Sequence, residues 1–293
     1  MEDKIISYGG QAVIEGVMMR GRNAFAVAMR APDGNIVVHK EELAKVYRSR
    51  IAKIPFLRGT ILLWDALGLG MKALTLSANT QTGEEEQLEG PALYITLFVS
   101  LAMGIGLFIL LPASIGGWAE QSLGWHNLAH NFLEGLVRLV LLIGYIWGIG
   151  FMPDVKRLFG YHGAEHKTIN AFEAGAELTP ESVAKFPLEH PRCGTAFMLT
   201  FVLLSILVHS LLGDMTFAWR LVSRVLLIPV IAGLAVEFIR WTANHLDSPF
   251  VRFIIKPNLA LQSLTTREPD TSMLEVAIES FKTMRQAEQE FTV

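Results

Sequence analysis

Residues Leu93–Ile115 read LYITLFVSLAMGIGLFILLPASI, a stretch without a single charge. Crossing the hydrocarbon core of a bilayer takes roughly 20 apolar helical residues, so this stretch predicts a transmembrane helix. Outward from it, Phe132–Met152 repeats the pattern with one acid and one base, Glu134 and Arg138. Ala196–Leu212 carries only His209. Ala218–Trp241 holds Arg220 and Arg224 near its start and Glu237 and Arg240 near its end. One such helix could be the buried helix of a soluble domain; about four in one chain predict a polytopic α-helical membrane protein. A charged fraction of 18% and a mean hydropathy of +0.38 agree, since soluble domains carry about 25% charged residues. The net charge of −3 includes no concentrated basic patch of the kind that nucleic-acid phosphates require. The single cysteine, Cys193, excludes an internal disulfide. The first residues contain no apolar run of the signal-peptide kind, so membrane insertion is expected to be directed by the first membrane helix.

Basic residues set the orientation. They are frequent from Lys4 to Lys72, absent from Gly116–Asn131, present in Pro153–Thr195 as Lys156, Arg157, Lys167, Lys185 and Arg192, absent again near Gly213–Phe217, and frequent after Arg252. Both termini and the 153–195 segment are therefore expected in the cytoplasm of a bacterium, with the bundle, residues 93–250, in its inner membrane. Trp118, Trp125, Trp219 and Trp241 suit an aromatic belt. Gly144 with Gly148, and Ala102 with Gly106, are spaced for close helix contact. Glu134 and Arg138 are spaced for an ion pair on one helix face.

Residues 1–53 read as a small β-rich region. Phe25–Arg30 and Asn35–Lys40 flank Ala31-Pro32-Asp33-Gly34, a turn signal, and Ala12–Met19 is expected as a third strand. Residues 54–77 are apolar but interrupted by Arg58, Asp65 and Lys72, and read as an interfacial or re-entrant helix rather than a full span. Residues 78–92, with Glu84-Glu85-Glu86, read as an acidic linker. The tail, 251–293, ends in an amphipathic helix over Thr271–Gln289, capped by Asp270, Thr271 or Ser272, with an apolar stripe that would dock on the β part or on another copy of the chain.

The polar chemistry concentrates in Tyr161-His162-Gly163-Ala164-Glu165-His166-Lys167. Residues four apart on a helix share a face, so His162 and His166 can hold one metal ion. H-x-x-E-H is the inverted zincin arrangement, with Glu165 as the general base. Downstream, His190-Pro191-Arg192-Cys193-Gly194 offers two further zinc-type ligands, His190 and Cys193, and Glu237 is another candidate. Gly163 and the placement of the motif at a loop count against a zincin protease. Glu15 and Arg20, in a glycine-rich stretch, are polar groups displayed from a tight β segment.

Three motifs, Gly9–Gly21, Tyr161–Lys167 and His190–Thr195, together with Gln262–Ala277, resemble the YqhQ-like family of bacterial membrane proteins, labelled predicted metal-dependent enzymes. The resemblance spans nearly the whole chain. It implies a bacterial inner-membrane setting and joins the glycine-rich motif, with Glu15 and Arg20, to the same functional unit as Lys167 and Arg192. Three readings stay open. One is a hydrolase that binds a divalent metal, zinc, at the cytoplasmic face and acts on a lipid or membrane-adjacent substrate. The others are a non-enzymatic scaffold, as a homo-oligomer, and a transporter or channel.

Overall fold

A computed structural model describes residues 8–44, 54–82, 90–124, 127–213 and 215–291. Lys4, Lys45, Arg48, Arg50, Lys53, the Glu84–Glu86 run and Trp125 lie outside the described residues. Strands β1 (Gly9–Val13), β2 (Gly16–Arg20), β3 (Ala24–Arg30) and β4 (Ile36–Glu42) form an antiparallel meander in the order β1-β2-β3-β4. The Ala31–Gly34 turn joins β3 to β4 as its composition predicts, with Gly34 at φ 88° and the Asp33 carboxylate accepting from Asn35 N–H at 3.0 Å. The expected single strand over Ala12–Met19 is instead a hairpin. Val13 pairs with Gly16 across the two-residue turn Ile14-Glu15. Glu15 occupies the left-handed region at φ 51°. No glycine or asparagine at Ile14-Glu15 announces that turn.

The helices are α1 (Leu57–Thr82), α2 (Gly90–Ile105), a π-helical turn (Gly106–Leu110), α3 (Leu111–Leu123), α4 (Asn127–Ile149), α5 (Pro153–Glu173), the short α6 (Pro180–Val183), α7 (Gly194–Ser210), α8 (Phe217–Leu226), α9 (Ile228–Ala243), α10 (Pro249–Thr265) and α11 (Thr271–Glu290). Three differences from the sequence reading stand out. The Tyr161–Lys167 motif lies inside α5, not on a loop: Pro153 starts that helix with its preset φ, where no N–H is needed. The tail contains α10, which runs through Pro257. The stretch expected as a linker is shortened, because α1 continues to Thr82 and α2 begins at Gly90.

The sheet is covered on both faces, as side-chain alternation along β3 dictates. Phe25, Val27 and Met29 face one way, with Val13, Met18, Leu43 and Ala73 of α1. Ala26 and Ala28 face the other, with Val17 and Met19, against Phe281, Met284, Val276 and Ala277 of α11 and Tyr161 and Ala164 of α5. The two alanines let α11 approach closely enough for Ser280 Oγ to donate to Ala26 O at 3.1 Å. Asp270 caps α11 by accepting from Met273 N–H at 2.9 Å, so the expected helix, its cap and its docking on the β part are all present.

The remaining helices form an apolar bundle. Among the described residues, three are long and apolar enough to cross a membrane, Leu57–Thr82, Tyr94–Leu123 and Leu128–Ile149, and a fourth if Ala218–Leu226 and Ile228–Ala243, bent by 44°, count as one. The bend falls where Pro229 has no N–H to give to the preceding turn. Helix α7 is a shorter apolar helix. The close approaches differ from those expected. Side chains added at Gly144, Gly148 and Gly106 would meet nothing, whereas Gly59 of α1 lies against Gly233 of α9, and Gly135 of α4 against Ile206 of α7. Glu134 pairs with Arg138 at 2.8 Å, as its spacing predicts, and also with Arg224 of α8 at 2.6 Å.

Candidate metal centre

Helix α5 carries its polar residues into the interior because elements distant in sequence cover it. The α10–α11 connection crosses it: Arg267 N–H donates to Phe159 O at 2.9 Å, and Arg267 O passes so close to Gly163 that any side chain there would collide. Gly163, read from sequence as a mark against a zincin protease, is what lets a second backbone lie on the helix. The Leu188–Cys193 segment closes the other side, clamped by Gln262 of α10, whose side chain accepts from His190 N–H at 3.0 Å and donates to His190 O at 2.8 Å.

Within this enclosure, ligand atoms of His162, His166 and Cys193 lie within 4.8 Å of one another. The two imidazoles, inclined at 65° to each other, are tied to the backbone in the same way. His162 Nδ1 donates to Thr265 O at 2.9 Å and His166 Nδ1 to Leu188 O at 2.5 Å. A carbonyl oxygen can only accept, so each Nδ1 carries the proton and each Nε2 presents a lone pair. Backbone carbonyls in this role are the usual outer partners of metal-binding histidines. His162 Nε2 is 3.2 Å from Cys193 Sγ, and His166 Nε2 is buried with no hydrogen-bond partner. Cys193 caps α7, its sulfur accepting from Thr195 N–H at 3.3 Å. Two imidazole nitrogens and one sulfur this close together could hold a metal ion.

Glu165 lies 4.0 Å from His162 Nε2 and is 5% exposed. Burial raises its pKa to about 7, against the opposing influences of His162 and of a hydrogen bond from Gly10 N–H. That bond ties β1 to the site. Gly10 has to be glycine, because a Cβ there would sit 2.6 Å from Met18 O and 2.9 Å from the Glu165 carboxyl carbon.

The other candidates fall around the trio. The His190 ring lies 5.6 Å from that of His166, but its Nε2 turns to Glu173 at 3.9 Å and Arg192 at 3.5 Å. Burial lowers the His190 pKa. Arg192 pairs with Glu173, and Lys167 bridges Ala184 O at 2.7 Å and Glu268 at 2.6 Å. Glu237 is engaged elsewhere, by Arg58 at 2.6 and 2.5 Å. Arg20 donates to Gly21 O at 3.4 Å, outside the trio. Glu15 receives both ends of the Arg157 guanidinium at 2.5 Å and the Tyr161 hydroxyl at 3.2 Å, fastening the hairpin turn to α5. The polar partners that sequence reading missed are Gly10, Arg157, Thr195, Gln262 and Thr265. The prior signal for the last two was their place in the Gln262–Ala277 stretch that carries the family resemblance.

The Arg157 bond holds the Glu15 pKa below the usual 4.5, with burial and Asp270 opposing. A lowered carboxylate pKa contributes stability that is complete above the unfolded value and is lost as pH falls through the folded value. The pair is partly solvated, so at most ~1 kcal/mol is expected. Thermal unfolding of the wild type should therefore shift downward below pH 4.5, and Glu15→Gln should remove that part of the shift while changing little from pH 5 to 7.

The chain matches the family model described as a protein of unknown function (DUF1385) over residues 54–287. It is 35% identical over 299 residues to the uncharacterized protein YqhQ of Bacillus subtilis (strain 168), covering 96% of this chain and 93% of the relative. No solved structure matches it.

Proposed function

The chain belongs to the DUF1385 family, and from its own geometry we propose that it is a multi-pass membrane hydrolase that binds a divalent metal, zinc, at the cytoplasmic end of its helical bundle. The observation that carries this reading is the pair of imidazoles whose Nδ1 protons are tied to Thr265 O and Leu188 O while their Nε2 atoms are left for a ligand beside Cys193. A buried lone pair at His166 Nε2 with no donor or cation to meet it costs free energy. The family's description names no activity, so the metal rests on these donors alone.

The membrane reading is supported by the apolar helices and by a parity argument. The sheet, α5 and α11 come from the beginning, middle and end of the chain, yet pack as one body. A bilayer cannot pass between them, so crossings must come in pairs: α2–α3 with α4, and α7 with α8–α9. Helix α1 is then not a full span. Its first turns lie against Gly233 in the bundle, and Gly70 and Ala73 lie against the sheet, which fits the re-entrant reading. The distribution of basic residues assigns the shared body to the cytoplasm.

A bound divalent ion would supply Lewis-acid polarisation of a substrate carbonyl or phosphoryl oxygen. His162 and His166 would hold it through Nε2 and Cys193 through sulfur. Glu165, with a pKa near neutrality, would take a proton from the attacking water and return it to the leaving group. Helices that enter a bilayer at this end make lipids and membrane-adjacent molecules the accessible substrates. The test is the metal content of tag-free protein purified in detergent. About one zinc ion per chain is expected, kept in full by Glu165→Gln, which should abolish turnover of a lipid ester or phosphoester panel. Wild type without bound metal overturns the reading.

A further inference from the structure

Along α7 lies a cavity of about 290 Å³, its walls formed by Phe197, Phe201 and Val202 and its polar groups, toward the helix end remote from Cys193, by Arg138, Arg224 and His209. Sixteen residues, roughly 24 Å of helix at 1.5 Å per residue, separate Cys193 from His209, so the polar end of the cavity is distinct from the metal centre, while Phe197 brings its apolar end to about one turn from Cys193. The volume is near the lower end of small-molecule pockets, about 300–1,000 Å³.

Its polar groups are not balanced. Among the described residues, three arginines, Arg138, Arg220 and Arg224, share two carboxylates, Glu120 and Glu134. Arg220 takes Glu120 at 2.8 Å, leaving Arg138 and Arg224 on Glu134 alone. The remaining acceptors are neutral: Arg224 also reaches Asn131 Oδ1 at 2.9 Å and Ser223 Oγ at 3.3 Å, and Arg138 reaches Ser205 Oγ at 3.3 Å. Arg138 Nε donates to Phe108 O at 2.9 Å. That carbonyl, in a π-helical turn whose Phe108 and Ile109 line the cavity, is available because Pro112, four residues on, has no N–H to give it. A guanidinium has five N–H donors, so both arginines have capacity to spare.

His209 provides a second, independent sign. Its Nδ1 donates to Ser205 O at 2.7 Å, so Nε2 carries a lone pair. His209 is 4% exposed, lines the cavity, and its Nε2 has no partner. The cavity thus combines a surplus of buried positive charge, an unanswered acceptor and an apolar wall.

We propose that this cavity binds an anionic single-chain amphiphile: an apolar chain along Phe197, Phe201 and Val202, and a carboxylate or phosphate head group that accepts from Arg138 and Arg224. A phosphate that keeps one O–H also donates it to His209 Nε2. Charge-assisted bonds in a low-dielectric pocket favour such a head group over a zwitterion.

The test is equilibrium binding of radiolabelled palmitate, lysophosphatidate and lysophosphatidylcholine to purified protein in phosphatidylcholine nanodiscs. Saturable binding of an anionic probe at least ~10-fold tighter than lysophosphatidylcholine is expected. Tighter palmitate identifies a carboxylate ligand, and tighter lysophosphatidate a phosphate ligand. Val202→Trp fills the cavity without touching a charge and should weaken the anionic probe by at least ~10-fold with an unchanged melting temperature. Leu142→Trp replaces it if that variant does not fold. Equal binding of anionic and zwitterionic probes by wild type overturns the proposal, as does an undiminished preference in a folded, cavity-filled variant.

Discussion

His166→Ala should strip the protein of its metal, from one ion per chain to less than about a tenth of that after dialysis, because removing even an outer partner of a ligand costs ~10–100-fold in affinity and a ligand itself costs more. The residue is chosen over His162 because its Nε2 is fully enclosed and has no other partner. Cys193→Ser should have the same direction of effect. His190→Gln is the contrasting control: its ring turns to Glu173 and Arg192, so it should keep the metal while loosening the loop. Mass-spectrometric metal analysis, with circular dichroism to confirm folding, reads all four proteins. A full complement in His166→Ala would place the ion elsewhere and remove the basis for a role of Glu165 in catalysis.

Glu134→Leu should cause the largest loss of stability of any single polar substitution in the bundle, about 3–5 kcal/mol, since it leaves two buried guanidinium groups without their shared counter-charge. Against a total of about 5–15 kcal/mol, that approaches unfolding. The double variant Glu134→Leu with Arg224→Leu should recover part of the loss, because the second change removes one of the stranded charges. Thermal unfolding in detergent, followed by light scattering and circular dichroism, is the measurement. A change below ~1 kcal/mol for Glu134→Leu would mean that the carboxylate is not the partner of both arginines.

These two sites show what could and could not be read from the sequence. The pairing of Glu134 with Arg138 was legible because four residues on a helix fix their distance. The pairing with Arg224 was not, since only the packing of α8 on α4 brings it there. Likewise, His162 and His166 were legible as a pair on one helix face, but nothing local chose Cys193 over His190 or Glu237 as their companion. That choice is made by the Gln262 clamp and by the capping of α7. The hairpin at Ala31–Gly34 carries its own local chemistry and was read correctly, and Asp270 is one of the three caps that the sequence offered for α11. The turn at Glu15 and the helix through Pro257 are imposed against local preference, by Arg157 and Tyr161 in the first case and by packing of α10 in the second.

The sheet that receives α11 also sets a timetable for biosynthesis. Ser280 reaches Ala26 across 254 residues, so the face made by Val17, Met19, Ala26 and Ala28, covered in part by Tyr161 and Ala164 of α5, is not fully covered until α11 emerges from the ribosome. At ~5–20 residues per second, the bundle helices take roughly 10–50 s to be translated while that face waits. Nascent chains halted before Thr271 would carry a sticky, half-finished module, and quality-control proteases would meet it in that form.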